Sequence, residues 1–123
     1  MRAIVVGMGG QGWKRWQVAV DDVVAKVDPF REDVDFQCVK EVPTEDYDAA
    51  LLCVPDEPKV GLIEYLLERG KHVLVEKPLI ASATSDLKRL NEMGEAGKLV
   101  CYTAYNHRFE PHFVGMRDAV AAG

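Results

Sequence analysis

The chain of 123 residues has the length of one domain and can bury one core, not the two of a typical two-domain enzyme. Apolar residues at 48% and charged residues at 28% are ordinary for a folded globular protein, and they exclude a disordered, collagen-like or wholly coiled-coil chain. The 15 basic and 20 acidic side chains leave a net charge of −5 with no basic block, which argues against a nucleic-acid partner, because phosphates need a basic face.

Short apolar runs alternate with helix-like stretches. Ala3 to Val6 is a strand-like run stopped by Gly7, and Trp13 to Val20 spells a short helix at best. Val23 to Val27 is a second strand, closed by Asp28 and Pro29, and the polar stretch from Pro29 to Asp35 reads as a loop. Phe36 to Val42 is taken as a third strand and Ala49 to Val54 as a fourth. Pro58 suits a first helical position, with Asp56 and Glu57 before it at the positive end of the dipole. Val60, Ile63, Leu66 and Leu67 then fall on one helical face, and Gly70 caps the end. A fifth strand, Val73 to Val75, precedes a helix from Ser85 to Ala96 with a stripe of Leu87, Leu90 and Met93, stopped by Gly97. Leu99 to Tyr102 is the sixth strand.

Runs that are apolar on both faces belong in a parallel sheet covered on both sides. The expected fold is α/β: a doubly wound, mostly parallel, three-layer sheet with right-handed crossovers. In such a sheet the ligand sits at the carboxyl ends of the strands. No run reaches the roughly 18 apolar residues of a membrane helix, and Ala3 to Val6 is too short for a secretory leader, so the reading is a cytoplasmic protein with no membrane partner. Cys38, Cys53 and Cys101 are an odd, widely spaced set within apolar runs, which reads as reduced, buried thiols and not as a disulfide framework or a zinc site.

Gly7-Met8-Gly9-Gly10-Gln11-Gly12 fits G-x-G-x-x-G directly after a strand and at the opening of a helix, the context this motif requires. The first glycine allows the tight turn, the second lets a pyrophosphate approach the backbone, and the third lets helix and strand pack closely. Amides at the helix start, including those of Gly10 and Gln11, then face the phosphates. Asp28 follows 21 residues beyond Gly7, at the end of the second strand. Its carboxylate can accept from the adenosine ribose hydroxyls and would repel a 2′-phosphate, which favours NAD over NADP. The competing reading of Asp28 is a turn cap before Pro29. Arg31 is near enough to accommodate a phosphate and leaves NADP open.

The later strand ends are also polar. Glu76 and Lys77 are adjacent, so they point to different sides of an extended chain, and one can hold structure while the other faces a ligand. A lysine there could stabilise charge developing on a substrate oxygen. Trp13 and Trp16, three apart beside the glycine turn, read as a packing pair, the alternative being a cover over part of the cofactor. His72 reads as structural. His107 and His112 lack metal-ligand spacing, so no metal is expected.

Three segments together, Gly7 to Gly12, Gly70 to Leu79 (G-K-H-V-L-V-E-K-P-L) and Tyr105 to Phe109, resemble the amino-terminal half of the Gfo/Idh/MocA oxidoreductases. The resemblance covers essentially the whole chain, and the G-K-H-V-x-x-E-K-P run is far more specific than the glycine motif. It implies a nicotinamide dinucleotide on a Rossmann domain and hydride transfer at a hydroxyl- or carbonyl-bearing carbon of a sugar, polyol or similar small substrate. By position, Lys77 would be the catalytic lysine beside nicotinamide and substrate. Glu76 would contact the cofactor neighbourhood, Pro55 and Asp56 would lie beside the nicotinamide ribose, and Asn106 and Arg108 would shape the site edge.

The sequence departs from the family pattern at Asp56, where an asparagine is usual, and at Pro58-Lys59, where a histidine would follow. The segment from Asp28 to Thr44 is short, so the helix between the second and third strands is expected to be missing or reduced to a turn. Family members also carry a second, α+β substrate domain. Residues 1–123 therefore read as one cofactor-binding domain of a longer enzyme, expected to bind dinucleotide without turnover. Apolar surface meant for the second domain would leave self-association open. The alternative is a non-catalytic dinucleotide-sensing or scaffold module. A methyltransferase also carries a glycine loop and an acid, but the Glu-Lys-Pro turn and the complete glycine motif speak against it.

Overall fold

The structure, a computed structural model, describes residues 1–77 and 84–104. Five strands, β1 (Ala3–Val6), β2 (Val23–Val27), β3 (Ala49–Leu52), β4 (His72–Glu76) and β5 (Cys101–Ala104), alternate with three helices, α1 (Gly10–Val18), α2 (Asp56–Glu68) and α3 (Thr84–Ala96). The strands form one wholly parallel sheet in the order β2-β1-β3-β4-β5. The α/β sheet expected from the sequence is thus present. Helices α2 and α3 pack against each other while α1 packs on β1 and β3, and the right-handed rule for parallel crossovers assigns α1 to one face and α2 and α3 to the other. The chain leaves β1 toward β2, then returns to the other side of β1 through β3, so the strand order reverses between β1 and β3. That reversal opens a crevice at the carboxyl ends of these two strands, where open α/β sheets hold their ligands.

The core lies mainly between the sheet and α2. Ile4, Val6, Ala50, Leu52, Val73 and Val75 are buried on one sheet face against Ile63, Leu66 and Leu67. Each such side chain contributes about 1.5–3 kcal/mol by leaving water. The α2 stripe differs from expectation at one position: Lys59 is buried, whereas Val60 is only half-buried. The reason is periodic, since Lys59, Ile63 and Leu67 follow one another at i, i+4 on the sheet-facing side. Helix α2 also begins at Asp56, two residues before Pro58. A proline within the first turn removes no helical hydrogen bond, because those amides have no intrahelical acceptor.

The helix ends close as glycine signals suggest, with one shift. After α2, the Gly70 amide donates to the Leu67 carbonyl and the Lys71 amide to that of Leu66, with Gly70 at φ +73°. This is the Schellman arrangement. After α3, the same bonding runs from Lys98 to Glu95 and from Leu99 to Gly94, but the left-handed residue is Lys98 (φ 54°) and not Gly97. Helix α1 starts at Gly10, earlier than the Trp13 start read from the sequence, and ends at Val18.

The expected third strand, Phe36 to Val42, is not formed. Phe36 makes a single parallel bridge to Val27, and Val39–Glu41 is a 3-10 turn. The apolar residues Phe36, Val39 and Val42 are three apart, which is the 3-10 period and not the two-residue period of a strand. Val39 and Val42 are buried by it. The eight residues from Asp28 to Asp35 are also fewer than the dozen or so of a parallel crossover. Only turns and bends occupy them, as the short segment led one to expect.

Burial of the cysteines is likewise corrected. All three are free thiols, but Cys38 and Cys101 are exposed and only Cys53 is partly buried. Cys38 lies in the segment that does not form a strand, and Cys101 opens the edge strand β5. His72 is structural: its Nδ1 accepts the Val100 amide at 3.0 Å and ties β4 to the turn before β5.

Candidate functional site

The glycine turn sits in the crevice between β1 and β3. Gly7 has φ +89°, and a Cβ there would lie 2.4 Å from the Cys53 carbonyl oxygen. Only glycine fits this crossing of the two strand ends. A Cβ at Gly12 would lie 1.9 Å from the Gly7 carbonyl oxygen, so α1 packs directly on the turn. Gly9 and Gly10 are different: nothing lies within 4 Å of a Cβ built at either, and both are exposed. Their backbone faces open space.

Helix α1 begins at that open backbone. No side chain caps it, and no acidic residue occupies its first turn. The helical ladder starts with the Trp13 amide donating to the Gly9 carbonyl at 3.0 Å. The amides of Gly10, Gln11 and Gly12 precede it and have no helical acceptor. Uncapped amides and the positive dipole end suit an anion such as a pyrophosphate.

Asp28 closes the other side. The Met8 amide donates to its Oδ2 at 2.8 Å, and the Phe30 amide donates to Oδ1 at 2.8 Å. The turn-cap role and the link to the glycine motif therefore coexist in one buried carboxylate. Each oxygen keeps a second lone pair. Beside it, Arg31 is held by Asp33 through two bonds of 2.8 and 2.7 Å, and its Nη1 reaches the Met8 carbonyl at 3.5 Å. Its guanidinium lies 5.6 Å from the ring centre of Trp13. Trp13 and Trp16 form an edge-to-face pair at 5.4 Å, with the Lys26 ammonium over both rings. They are the packing pair expected.

The ends of β3 and β4 bring the remaining polar groups together. Glu76 is buried and paired with Arg15 of α1, so its carboxylate is engaged by the protein itself. Lys77, the next residue, is exposed at the carboxyl edge of the sheet. Of the two adjacent residues, one is thus held by the protein and the other is exposed. Pro55 caps α2 and Asp56 opens it, both exposed. Asp56 Oδ1 accepts from the buried Lys59 ammonium at 2.9 Å. Cys53, just after β3, has its thiol pushed up to about 12, first by burial and then by the nearby Glu76 carboxylate. Asn106, Arg108, His107 and His112 lie outside the described residues.

Sequence reasoning missed Arg15, Asp33 and Lys59. Lys59 carried a signal in its i, i+4 spacing to Ile63. Arg15 carried none, since its partner is 61 residues away. A cleft of about 570 Å³ lined by Arg2, Val24, Asp35, Phe36 and Val42 opens at the amino ends of β1 and β2, away from the glycine turn. Among the described residues no three His, Cys, Asp or Glu side chains are grouped to hold a metal ion, and no helix is long and apolar enough to cross a membrane.

Comparisons with known proteins agree with this geometry. The chain is 32% identical to inositol 2-dehydrogenase 1 of Saccharopolyspora erythraea over 99% of its own length, and it spans 34% of that relative. Its fold matches UDP-N-acetylglucosamine 3-dehydrogenase GnnA from Acidithiobacillus ferrooxidans with a TM-score of 0.83 at 23% identity, over 97% of this chain and 43% of the other. It also matches the WlbA dehydrogenase from Thermus thermophilus, solved in complex with NAD and alpha-ketoglutarate, with a TM-score of 0.81 at 18% identity, over 100% of this chain and 47% of the other. Residues 5–105 match the profile of the oxidoreductase family with an NAD-binding Rossmann fold. The chain belongs to that family, the Gfo/Idh/MocA oxidoreductases, through its dinucleotide-binding domain.

Proposed function

We propose that this chain binds NAD(H), in preference to NADP(H), at the crevice between β1 and β3. The observation that carries the reading is the open, uncapped backbone of Gly9 and Gly10 beside the buried Asp28 carboxylate. The amides of Gly10, Gln11 and Gly12 hold the pyrophosphate. Asp28 accepts from the adenosine ribose and disfavours a 2′-phosphate. Pro55 and Asp56 border the nicotinamide ribose.

Bound nicotinamide supplies the hydride chemistry; the protein supplies position and electrostatics. Lys77 is the catalytic residue: its exposed ammonium polarises the substrate oxygen and stabilises the charge that develops there. Glu76, fixed to Arg15, holds the end of β4 so that Lys77 points outward. The substrate is a small hydroxy or carbonyl compound, a sugar or polyol, in keeping with the inositol dehydrogenase relative. The chain serves as the cofactor half of a longer cytoplasmic enzyme, consistent with its 34% span of that relative. By itself it binds cofactor without turnover.

Calorimetric titration with NAD and NADP tests the reading. Weak binding of NAD with weaker binding of NADP is the expected result. No heat from either dinucleotide at millimolar concentration would overturn it.

A further inference from the structure

We infer that Asp33 is a specificity-determining residue of the dinucleotide site, acting by withholding Arg31 from a 2′-phosphate. The inference rests on the NAD-binding reading above. Arg31 is the cation beside Asp28, and an arginine near the acid after the second strand is the group that can accept a 2′-phosphate. Here both its Nε and its Nη2 are directed at Asp33, at 2.8 and 2.7 Å, while Nη1 lies 3.5 Å from the Met8 carbonyl. The two-pronged contact occupies one of the paired-donor edges with which a guanidinium grips a phosphate. The Trp13 ring, 5.6 Å away, limits its swing toward the helix.

Charge points the same way. Arg31 is attracted by two carboxylates, those of Asp33 and Asp28, and the three groups together are net negative. Arg31 also holds the Asp33 carboxyl below its usual range, chiefly through their hydrogen bond. The pair is exposed at 38% and 53%, and nothing buries it. An exposed pair is cheap to break, so its removal should change recognition without unfolding the domain.

The test titrates NAD and NADP into the full chain and into Asp33→Asn, Asp33→Ala and the double variant Arg31→Ala/Asp33→Asn, read by calorimetry. The expected result is that each single Asp33 variant binds NADP about threefold to fivefold more tightly, as for release of one exposed ion pair, with NAD affinity within about twofold of the parent. The added Arg31→Ala change should abolish the gain. An unchanged NADP-to-NAD ratio in both Asp33 variants, or a gain that survives loss of Arg31, would overturn the inference while NAD binding by the parent chain still stands. A parent chain that binds neither dinucleotide overturns the parent reading and this inference with it. Circular dichroism confirms that each variant is folded, and the isosteric asparagine serves where the alanine variant is not.

Discussion

Arg15 and Glu76 form an ion pair that fastens α1 to the carboxyl end of β4, across 61 residues of chain. Glu76 is buried, and its side chain is 9% exposed against 28% for Arg15. Removing either partner leaves a poorly solvated charge without its counterion. Glu76→Ala and Arg15→Ala should each destabilise the fold by about 2 kcal/mol. Urea denaturation would measure it, and a double-mutant cycle should return a coupling of about 1 kcal/mol or more. Additive effects would show that the pair does not hold the site together.

The glycines of the motif should separate by experiment into two kinds. Gly12→Ala forces a Cβ into the Gly7 carbonyl oxygen and should lower stability by about 3 kcal/mol or more, seen as a large fall in melting temperature. Gly9→Ala meets open space and should leave the melting temperature nearly unchanged. Its added methyl would nonetheless stand where the dinucleotide approaches, so NAD affinity should fall at least about tenfold.

Alkylation should rank the thiols by exposure and thiolate content. Cys38 is exposed and should react readily with iodoacetamide. Cys53, with its thiol pushed up to about 12, carries roughly one thiolate in ten thousand at pH 8 and should be the slowest. Its rate should rise tenfold per pH unit without a plateau below about 12. The sign for stability follows from the same numbers. The folded thiol keeps a proton that the unfolded one releases near 9.0, so stability from this group falls as pH rises beyond 9.0. Peptide mapping by mass spectrometry gives the order directly.

Tyr47 is fully buried, and its hydroxyl has no hydrogen-bond partner. An unsatisfied buried hydroxyl costs free energy that a phenyl ring does not. Tyr47→Phe should therefore be neutral or stabilising, by up to about 1 kcal/mol in a urea titration. A clear loss of stability would show that the hydroxyl is satisfied.

The chain has two tryptophans, and both lie on α1 just after the glycine turn. Intrinsic fluorescence should therefore report dinucleotide binding. Titration with NADH should quench the indole emission, and Trp13→Phe should remove most of the change because Trp13 is the ring beside Arg31. Quenching carried by Trp16 alone would move the adenosine away from Arg31.

The alternation of short apolar runs with helical stripes was enough, from sequence alone, for the parallel sheet, because strand and helix periods are local properties of the chain. The glycine turn and Asp28 were legible for the same reason: each stands at the end of an apolar run, and strand ends in such a sheet are where ligands bind. Tertiary structure decided what local patterns do not encode. Phe36 to Val42 was apolar enough for a strand, yet its three-residue spacing and short connection gave one bridge and a 3-10 turn. Which of Glu76 and Lys77 would be held and which exposed depended on Arg15, far away in sequence. Whether Arg31 was available to a phosphate depended on the geometry of Asp33, two residues on, because charge sign alone does not fix where a guanidinium points. Periodicity is set by neighbours along the chain, whereas the partner of a buried or clamped charge is set by packing.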